Sequence, residues 1–258
     1  MQVFFDTQKK EVEKYSSESQ RIRFLSERWV GNEIFCPHCG EGSLYPFENN
    51  RPAADFYCRN CKEEYELKSK KNAIGGEVLD GAYKTMIERL QNHNNPHFFF
   101  LTYNPADYSI KNFMVIPKHF FVPSVIKKRK PLSSNARRVG WVGCNVLLKN
   151  ISESGKIFYV KDGYVEKRRN VLKNWQRTLF LRDARKAELR GWLLDVMYCI
   201  DTLGRKEFTL QEMYSFEKIL NEKHPNNVNI RPKIRQQLQF LRDKNYLVFL
   251  GAGKYKVR

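Results

Sequence analysis

The stretch Asp55-Phe-Tyr-Cys-Arg-Asn-Cys-Lys-Glu-Glu-Tyr-Glu-Leu-Lys68 combines a pair of closely spaced cysteines with acidic residues and a lysine. Its cysteines, Cys58 and Cys61, follow an earlier pair, Cys36 and Cys39, and two residues separate the thiols of each pair. That spacing lets a tight turn present both sulfurs to one ion. The two pairs together therefore predict a tetrahedral Zn²⁺ site with four cysteine ligands.

The same four cysteines could instead form two disulfides, which would require an oxidising compartment. The first 15 residues show no apolar segment behind a basic one and no small-residue cleavage site, so they do not resemble a secretion signal. Cys144 and Cys199 would also remain as single thiols. These observations favour zinc and a reducing, cytoplasmic location. His38 could replace one cysteine, but four thiolates already complete the shell.

Composition points to a folded protein with a polyanionic partner. The chain of 258 residues is 41% hydrophobic, which is enough for the cores of one large domain or two. It carries 46 Lys and Arg against 28 Asp and Glu, a net charge of +18, which makes nucleic acid the first candidate partner. An ordinary basic surface and an anionic membrane surface are alternatives. The chain has no basic amphipathic segment and no apolar run of membrane-spanning length, which argues against a membrane.

The residues around the second cysteine pair are predicted to form a hairpin. Phe56-Tyr57 is predicted as one strand and residues 65–68 as the returning strand. Asp55 then lies on one arm, and Glu66 and Lys68 lie on the other. Because side chains alternate along a strand, Glu66 and Lys68 should share a face.

Further along the chain, apolar spacing predicts one helix from Val78 to Gln91 and then buried strands at residues 98–101 and 113–116. The predicted order is strand, strand, helix, strand, strand. An aspartate, a ten-residue gap and a Glu-x-Lys motif in this order of elements resemble the PD-(D/E)xK nuclease core. The residue before the aspartate is Ala54, where that pattern has a proline, but the proline is not required for the chemistry.

This constellation suits phosphodiester hydrolysis. A divalent ion lowers the pKa of its bound water and neutralises the charge that builds on the phosphate, and an oxygen-only site suits Mg²⁺. Asp55, Glu66 and the carbonyl of Leu67 would hold the ion, and Lys68 would contact the phosphate and orient or deprotonate the attacking water. The alternative is a solvated, highly charged strand without a catalytic role.

The chain from residue 184 to 258 is predicted to be a winged helix. Residues 189–200 place apolar side chains on one helical face, and Thr209 and Glu212 form a capping box that opens a second helix through Met213, Phe216 and Leu220. A third helix should begin near residue 231 with Pro232 in its first turn. A hairpin then runs from residue 246 to 257 with glycines at its tip.

The outer face of the third predicted helix carries Arg235, Gln236 and Gln239, and the wing carries Lys254 and Lys256. Amide side chains can bridge adenine N6 and N7 in the major groove, and lysines can contact phosphates. These residues favour DNA as the ligand of the winged helix. A winged helix that binds another protein is the alternative.

Between the two domains, Arg137 and Arg138 stand close to Trp141 in a glycine-containing segment. Two arginines would supply phosphate anchors beside a flat apolar ring. Trp141 could act as a wedge between bases, or it could be a core residue. Both interpretations are open from the sequence.

Seven segments together are similar to the DpnI-like methyl-directed restriction endonucleases: residues 47–52, 54–58, 64–71, 80–83, 95–103, 136–141 and 234–238. The resemblance covers the whole chain. It implies an α/β (α+β) fold with a nuclease domain at residues 1–183, which contains the zinc ribbon, and a winged helix at 184–258. It also implies a monomeric, Mg²⁺-dependent enzyme that cuts double-stranded DNA at G-A-T-C sites carrying N6-methyladenine, with both domains reading the site.

The resemblance assigns catalysis to Asp55, Glu66 and Lys68, and a structural zinc ion to the four cysteines. Two rival functions remain. A zinc-ribbon and winged-helix transcription regulator would account for the charge and the cysteines, and a structure-specific repair nuclease would keep the same catalytic core with another substrate.

Overall fold

A computed structural model of the chain describes residues 3–6, 14–48, 54–92, 94–182 and 187–258. The chain divides into two compact units, one of Met1–Lys149 with Ser154–Thr178 and one of Asn150–Glu153 with Leu179–Arg258. The predicted domain boundary between residues 183 and 184 lies outside the described residues. Within the described ranges, no helix is long and apolar enough to cross a membrane.

The first unit is a mixed α/β structure, as predicted. Its helices are α1 (Glu18–Glu33), α2 (Tyr83–Gln91) and α3 (Arg168–Gln176). Its strands are β1 (Tyr45–Pro46), β2 (Phe56–Tyr57), β3 (Glu64–Lys71), β4 (Val78–Ala82), β5 (His97–Tyr103), β6 (Ile110–Ile116), β7 (Ile126–Lys128), β8 (Gly143–Val146), β9 (Ile157–Lys161) and β10 (Tyr164–Val165).

Seven of these strands form the main sheet, in the order β1-β2-β3-β5-β6-β9-β10. All seven residues of β5 are buried, which explains its nearly continuous apolar sequence. It pairs in parallel with β3 and antiparallel with β6. The predicted hairpin arms and the two predicted buried strands are thus confirmed as β2, β3, β5 and β6.

The two faces of β3 and β5 have different surroundings. On one face, Tyr65 stacks on Phe99 with ring centroids 4.8 Å apart, and His97 meets Trp175 of α3 at 4.7 Å. On the other face, Glu66 lies beside Phe98 in the parallel register. Neighbouring residues of β3 therefore face different environments, because side chains alternate along a strand.

The prediction of one helix from Val78 to Gln91 is wrong in its first part. Residues 78–82 form β4, which pairs antiparallel with β8 in a small sheet ordered β4-β8-β7. Leu79, one of the apolar residues on which the helix prediction rests, is 63% exposed. The cause is a long-range pairing with residues 143–146, which a local apolar pattern cannot reveal.

The second unit contains helices and a three-stranded sheet, which confirms the predicted winged helix. Its helices are α4 (Ala187–Thr202), α5 (Leu210–Tyr214), α6 (Glu217–Lys223) and α7 (Ile230–Asp243). Its strands β11 (Glu207–Thr209), β12 (Leu247–Gly251) and β13 (Lys254–Val257) form a sheet in the order β11-β13-β12.

The predicted capping box is present: the Thr209 side chain accepts from the backbone of Glu212, and the Glu212 carboxylate accepts in return. The helix that it opens ends at Tyr214, however, and the continuous helix predicted through Phe216 and Leu220 is divided into α5 and α6. The break comes where Ser215 Oγ donates to the Glu212 carbonyl, a local bond that competes with helix geometry. The first and third predicted helices and the terminal hairpin are confirmed.

Candidate active site and metal centre

The two cysteine pairs lie together. The sulfur atoms of Cys36, Cys39, Cys58 and Cys61 are all within 4.8 Å of one another. Each pair forms a tight turn, because Gly40 N–H donates to the Cys36 carbonyl and Lys62 N–H donates to the Cys58 carbonyl. Gly40 and Lys62 take positive φ values of 78° and 61°, so the two turns use the same left-handed position.

The sulfur separations fit one ion better than disulfides. Cys36 and Cys61 are 3.5 Å apart and Cys39 and Cys58 are 3.6 Å apart, whereas a disulfide bond is about 2.05 Å long. Tetrahedral Zn–S bonds of about 2.3 Å place sulfurs roughly 3.8 Å apart. All six cysteines are free of disulfides. The four sulfurs could therefore hold a metal such as zinc.

Burial raises the pKa of the Cys36 thiol to about 11. A metal ion would offset this, because coordination stabilises the thiolate. The Tyr65 hydroxyl lies 3.2 Å from Cys36 Sγ, within hydrogen-bonding distance. His38 does not belong to the four-sulfur cluster, and its Nδ1 accepts a 3.1 Å hydrogen bond from Trp175 Nε1.

The hairpin that carries the second cysteine pair also carries the predicted catalytic residues. Asp55 immediately precedes β2, and its backbone N–H donates to the Tyr65 carbonyl. Its Oδ2 accepts a 2.6 Å hydrogen bond from the backbone N–H of Leu67. Asp55 is thus fixed against the segment of β3 that contains Glu66 and Leu67.

Lys68 lies between two carboxylates. Its Nζ is 2.5 Å from Glu66 Oε1 and 2.7 Å from Asp80 Oδ1. Burial opposes the charged ammonium, but the two carboxylates outweigh this effect and raise the pKa of Lys68. Burial also raises the pKa of Glu66. The negative charges of Asp80 and Asp55 raise this pKa further, and the positive charge of Lys68 opposes the shift.

Sequence reasoning gave Asp80 no role. Its side chain is only 5% exposed, and its Oδ2 is buried without a hydrogen-bond partner in the described part of the chain. The error follows from the misplaced helix, because Asp80 lies on β4, where it pairs with Cys144 of β8. The only sequence signal for Asp80 was an acidic residue directly before Gly81. Nothing in the neighbouring sequence indicated that it would pair with Lys68.

A cavity of about 200 Å³ opens beside these carboxylates. Glu66 and Asp80 line it together with residues of α2 and of the segment before β5, namely Gly81, Ala82, Thr85, Met86, Arg89, Asn95, Pro96 and Phe98. Half of these residues are polar or charged and half are apolar or glycine, and they include the two carboxylates that contact Lys68. Such a space suits a small charged ligand.

The other predicted DNA-binding residues of the first unit lie in the connection between β7 and β8. Arg137 and Arg138 are exposed, and Trp141 is half-buried. The Trp141 ring packs over Gly143, where an added Cβ would lie 2.8 Å from the ring. The Trp141 carbonyl accepts from Leu132 N–H, which closes the loop at its base. Trp141 is therefore only partly covered.

In the second unit, α7 turns its predicted residues outward. Arg235, Gln236 and Gln239 are exposed, whereas Ile234, Leu238 and Leu241 are buried. Arg235 donates to the Tyr214 hydroxyl at 2.7 Å, a contact that the sequence did not predict.

On the wing, Lys254 and Lys256 are exposed. Lys256 Nζ also donates to Glu207 of β11 at 2.7 Å, an exposed ion pair that offsets part of its charge. Gly251 and Gly253 have φ values of 91° and 71° at the hairpin tip, as expected for a tight turn.

Comparison with known families agrees with this architecture. The family described as DpnI, the Dam-replacing family, matches residues 1–184, and the Dam-replacing HTH domain matches residues 188–257. The first match includes the cysteine cluster and the hairpin, and the second includes α7 and the wing. The chain therefore belongs to the DpnI, Dam-replacing family of restriction-type nucleases and has a C-terminal DNA-binding helix-turn-helix domain.

Proposed function

We propose that this protein is a Mg²⁺-dependent restriction endonuclease that cuts double-stranded DNA at G-A-T-C sites carrying N6-methyladenine. The observation that carries the proposal is the position of Lys68 between two carboxylates, on the hairpin that also holds Asp55. A buried lysine between carboxylates beside an open cavity is an arrangement suited to phosphoryl chemistry. Membership of the Dam-replacing family supports the same activity.

In this mechanism Asp55, Glu66 and the Leu67 carbonyl would hold the cation. When bound, Mg²⁺ supplies a nucleophilic water of lowered pKa and neutralises charge on the phosphate. Lys68 directs its ammonium group toward the scissile phosphate and orients the attacking water. The water oxygen would form a bond to phosphorus as the bond to the leaving deoxyribose oxygen breaks, the attacking water would lose a proton to solvent, and the leaving oxygen would take a proton from solvent. The four cysteines hold a structural Zn²⁺ that keeps the hairpin folded.

Methyl recognition places a physical demand on the protein. Burying one methyl group contributes about 0.8 kcal/mol, roughly fourfold in affinity, which is too little to separate methylated from bare DNA. If each of two domains buries two methyl groups, the four burials together contribute about 3 kcal/mol, which is on the order of a few hundredfold in affinity. We therefore propose that a monomer reads the site with both its nuclease domain and its winged helix.

The proposed contacts in the winged helix are base contacts by Gln236 and Gln239, with Arg235 and the wing lysines on phosphates. In the nuclease domain they are phosphate contacts by Arg137 and Arg138 and stacking by Trp141. All of these side chains are exposed or half-buried.

The decisive experiment mixes the protein and Mg²⁺ with plasmid from hosts that methylate adenine in G-A-T-C and from hosts that do not. We expect cutting of the methylated plasmid only. Absence of cutting would favour a transcription regulator, and cutting that follows DNA structure irrespective of methylation would favour a repair nuclease.

Asp55→Asn, Glu66→Gln and Lys68→Ala should each abolish cleavage while DNA binding persists, because these residues act on the metal and the water. A variant of these three that still cuts normally would remove that residue from the mechanism.

Two-domain reading is tested in the full chain with Ca²⁺ in place of Mg²⁺, by fluorescence anisotropy on methylated and bare duplexes. Gln236→Ala and Gln239→Ala should each lower affinity for the methylated site by about tenfold or more, as expected for a lost base contact. Asn221→Ala removes an exposed amide from α6 and serves as the matched control. If the glutamine variants behave like this control, methyl recognition resides in the nuclease domain alone.

A further inference from the structure

We propose that Asp80 is a third acidic residue of the active site, which holds Lys68 with one carboxylate oxygen and binds the divalent cation with the other. The inference rests on the proposed nuclease function and extends it beyond Asp55, Glu66 and Lys68. It assigns a role to a residue that lies outside the Asp, Glu-x-Lys motif.

The two oxygens of Asp80 have different surroundings. Oδ1 lies 2.7 Å from Lys68 Nζ and is satisfied by that ion pair. Oδ2 is buried and has no hydrogen-bond partner among the described residues, although the side chain is only 5% exposed. A buried carboxylate oxygen without a partner is costly, so it is retained where a ligand can satisfy it.

The position of Asp80 identifies the class of that ligand. Asp80 and Glu66 both line the cavity of about 200 Å³, and each is within 2.7 Å of the same ammonium group. Two carboxylates thus share one lysine, and Asp55 adds a third negative charge near Glu66, whose pKa it raises. Arg89 also lines the cavity, but it forms no ion pair with Glu66 or Asp80 in the described part of the chain. The excess of negative charge favours a divalent cation with oxygen ligands.

The fold explains how Asp80 reaches this place. It lies on β4, which belongs to the small sheet with β7 and β8 and is not part of the main sheet. The register of β4 with β8 places Asp80 opposite Cys144. Lys68 is therefore held from two sides, by Glu66 of its own strand and by Asp80 of another sheet.

The test compares the wild-type chain with Asp80→Asn and Asp80→Ala. Asparagine keeps an oxygen acceptor for Lys68 but removes the charge, whereas alanine removes both. The matched control is Glu77→Gln, which neutralises a carboxylate that accepts from Asn145 and Lys127 and does not line the cavity. Mn²⁺ binding is measured by calorimetry without DNA, and the Mg²⁺ dependence of cleavage is measured separately.

We expect Asp80→Asn to weaken Mn²⁺ binding by about tenfold or more, since even residues that only support metal ligands cost 10- to 100-fold. The Mg²⁺ concentration for half-maximal cleavage should rise by a similar factor, and high Mg²⁺ should restore part of the cleavage. Asp80→Ala should cut poorly even at saturating Mg²⁺, because Lys68 also loses a partner. Glu77→Gln should match the wild type.

Thermal unfolding supplies a readout that is independent of activity. Asp80→Asn removes the repulsion between the Asp80 and Glu66 carboxylates, and Lys68 keeps its ion pair with Glu66. Without metal, the variant should therefore unfold no earlier than the wild type, and Mn²⁺ should raise its unfolding temperature less. Unchanged Mn²⁺ affinity and Mg²⁺ dependence, or a metal-free variant that unfolds much earlier, would overturn the assignment. If the wild type and Glu77→Gln neither bind Mn²⁺ nor cut DNA, the proposed function itself fails.

Discussion

The hydroxyl of Tyr65 offers a quantitative test of how the metal centre supports the hairpin. Tyr65 is fully buried, and its hydroxyl lies 3.2 Å from Cys36 Sγ. Tyr65→Phe removes this hydrogen bond but keeps the ring that stacks on Phe99 at 4.8 Å. A hydrogen bond to a charged group contributes about 1.5–3 kcal/mol, so the variant should lose roughly 10- to 100-fold in zinc affinity. The fold of the zinc-loaded protein should persist.

The assay loads each protein with zinc, adds excess chelator and follows zinc release with a chromogenic dye. Tyr159→Phe is the matched control, because its buried hydroxyl donates to the Phe35 carbonyl at 2.8 Å beside the same cysteines. Zinc loss and loss of cleavage should share one rate constant, since metal binding and folding of the hairpin are coupled. If Tyr65→Phe retains zinc as long as Tyr159→Phe does, the hydroxyl does not stabilise the metal centre.

Three further predictions concern the cysteine cluster and the DNA-binding surfaces. Cys58→Ser should destroy both solubility and cleavage, because it removes a ligand between the two arms of the hairpin; a zinc-free yet active protein, shown by elemental analysis, would contradict this. Lys254→Ala should weaken binding to any DNA sequence and reduce the salt dependence by about one phosphate contact. Lys256→Ala should do so less, because Lys256 is paired with Glu207, and anisotropy titrations at several salt concentrations compare the two. Arg137→Ala with Arg138→Ala should likewise lower affinity for methylated and bare duplexes by the same factor, and a selective loss on the methylated duplex would show that these arginines read the site.

The parts of the fold predicted from the sequence are those that local chemistry determines. The cysteine spacing predicts two turns, and both are present with the same left-handed residue four positions after the first cysteine. The apolar run at residues 98–101 predicts a buried strand because it is short and rich in aromatic side chains, which suits a strand covered on both faces. The capping box at Thr209 predicts a helix start, which the structure confirms.

The parts that could not be predicted depend on contacts that leave no mark on the apolar pattern, either with a strand far along the chain or with a single side chain close by. Residues 78–82 carry apolar side chains at spacings compatible with a helix, yet they pair with β8, more than 60 residues later. The end of α5 at Tyr214 depends on a serine hydroxyl that competes for a backbone carbonyl. Neither effect has a signal in local periodicity. For the same reason, Asp80 was missing from the predicted site.

The alternation of side chains along β3 explains why one short hairpin can serve both a metal centre and an active site. Tyr65 turns toward Cys36 and stacks on Phe99, while Glu66 turns toward Lys68 and the cavity. Adjacent residues of one strand thus contact the cysteine cluster and the active-site carboxylates. Asp55 accepts a hydrogen bond from the Leu67 backbone of the same strand. The parallel ladder with β5 holds Glu66 in the main sheet, whereas Asp80 is held by a different sheet, so the distance between these two carboxylates depends on both sheets. The hairpin places Asp55, Glu66 and Lys68 relative to one another. The position of Asp80 is determined separately, by the pairing of β4 with β8.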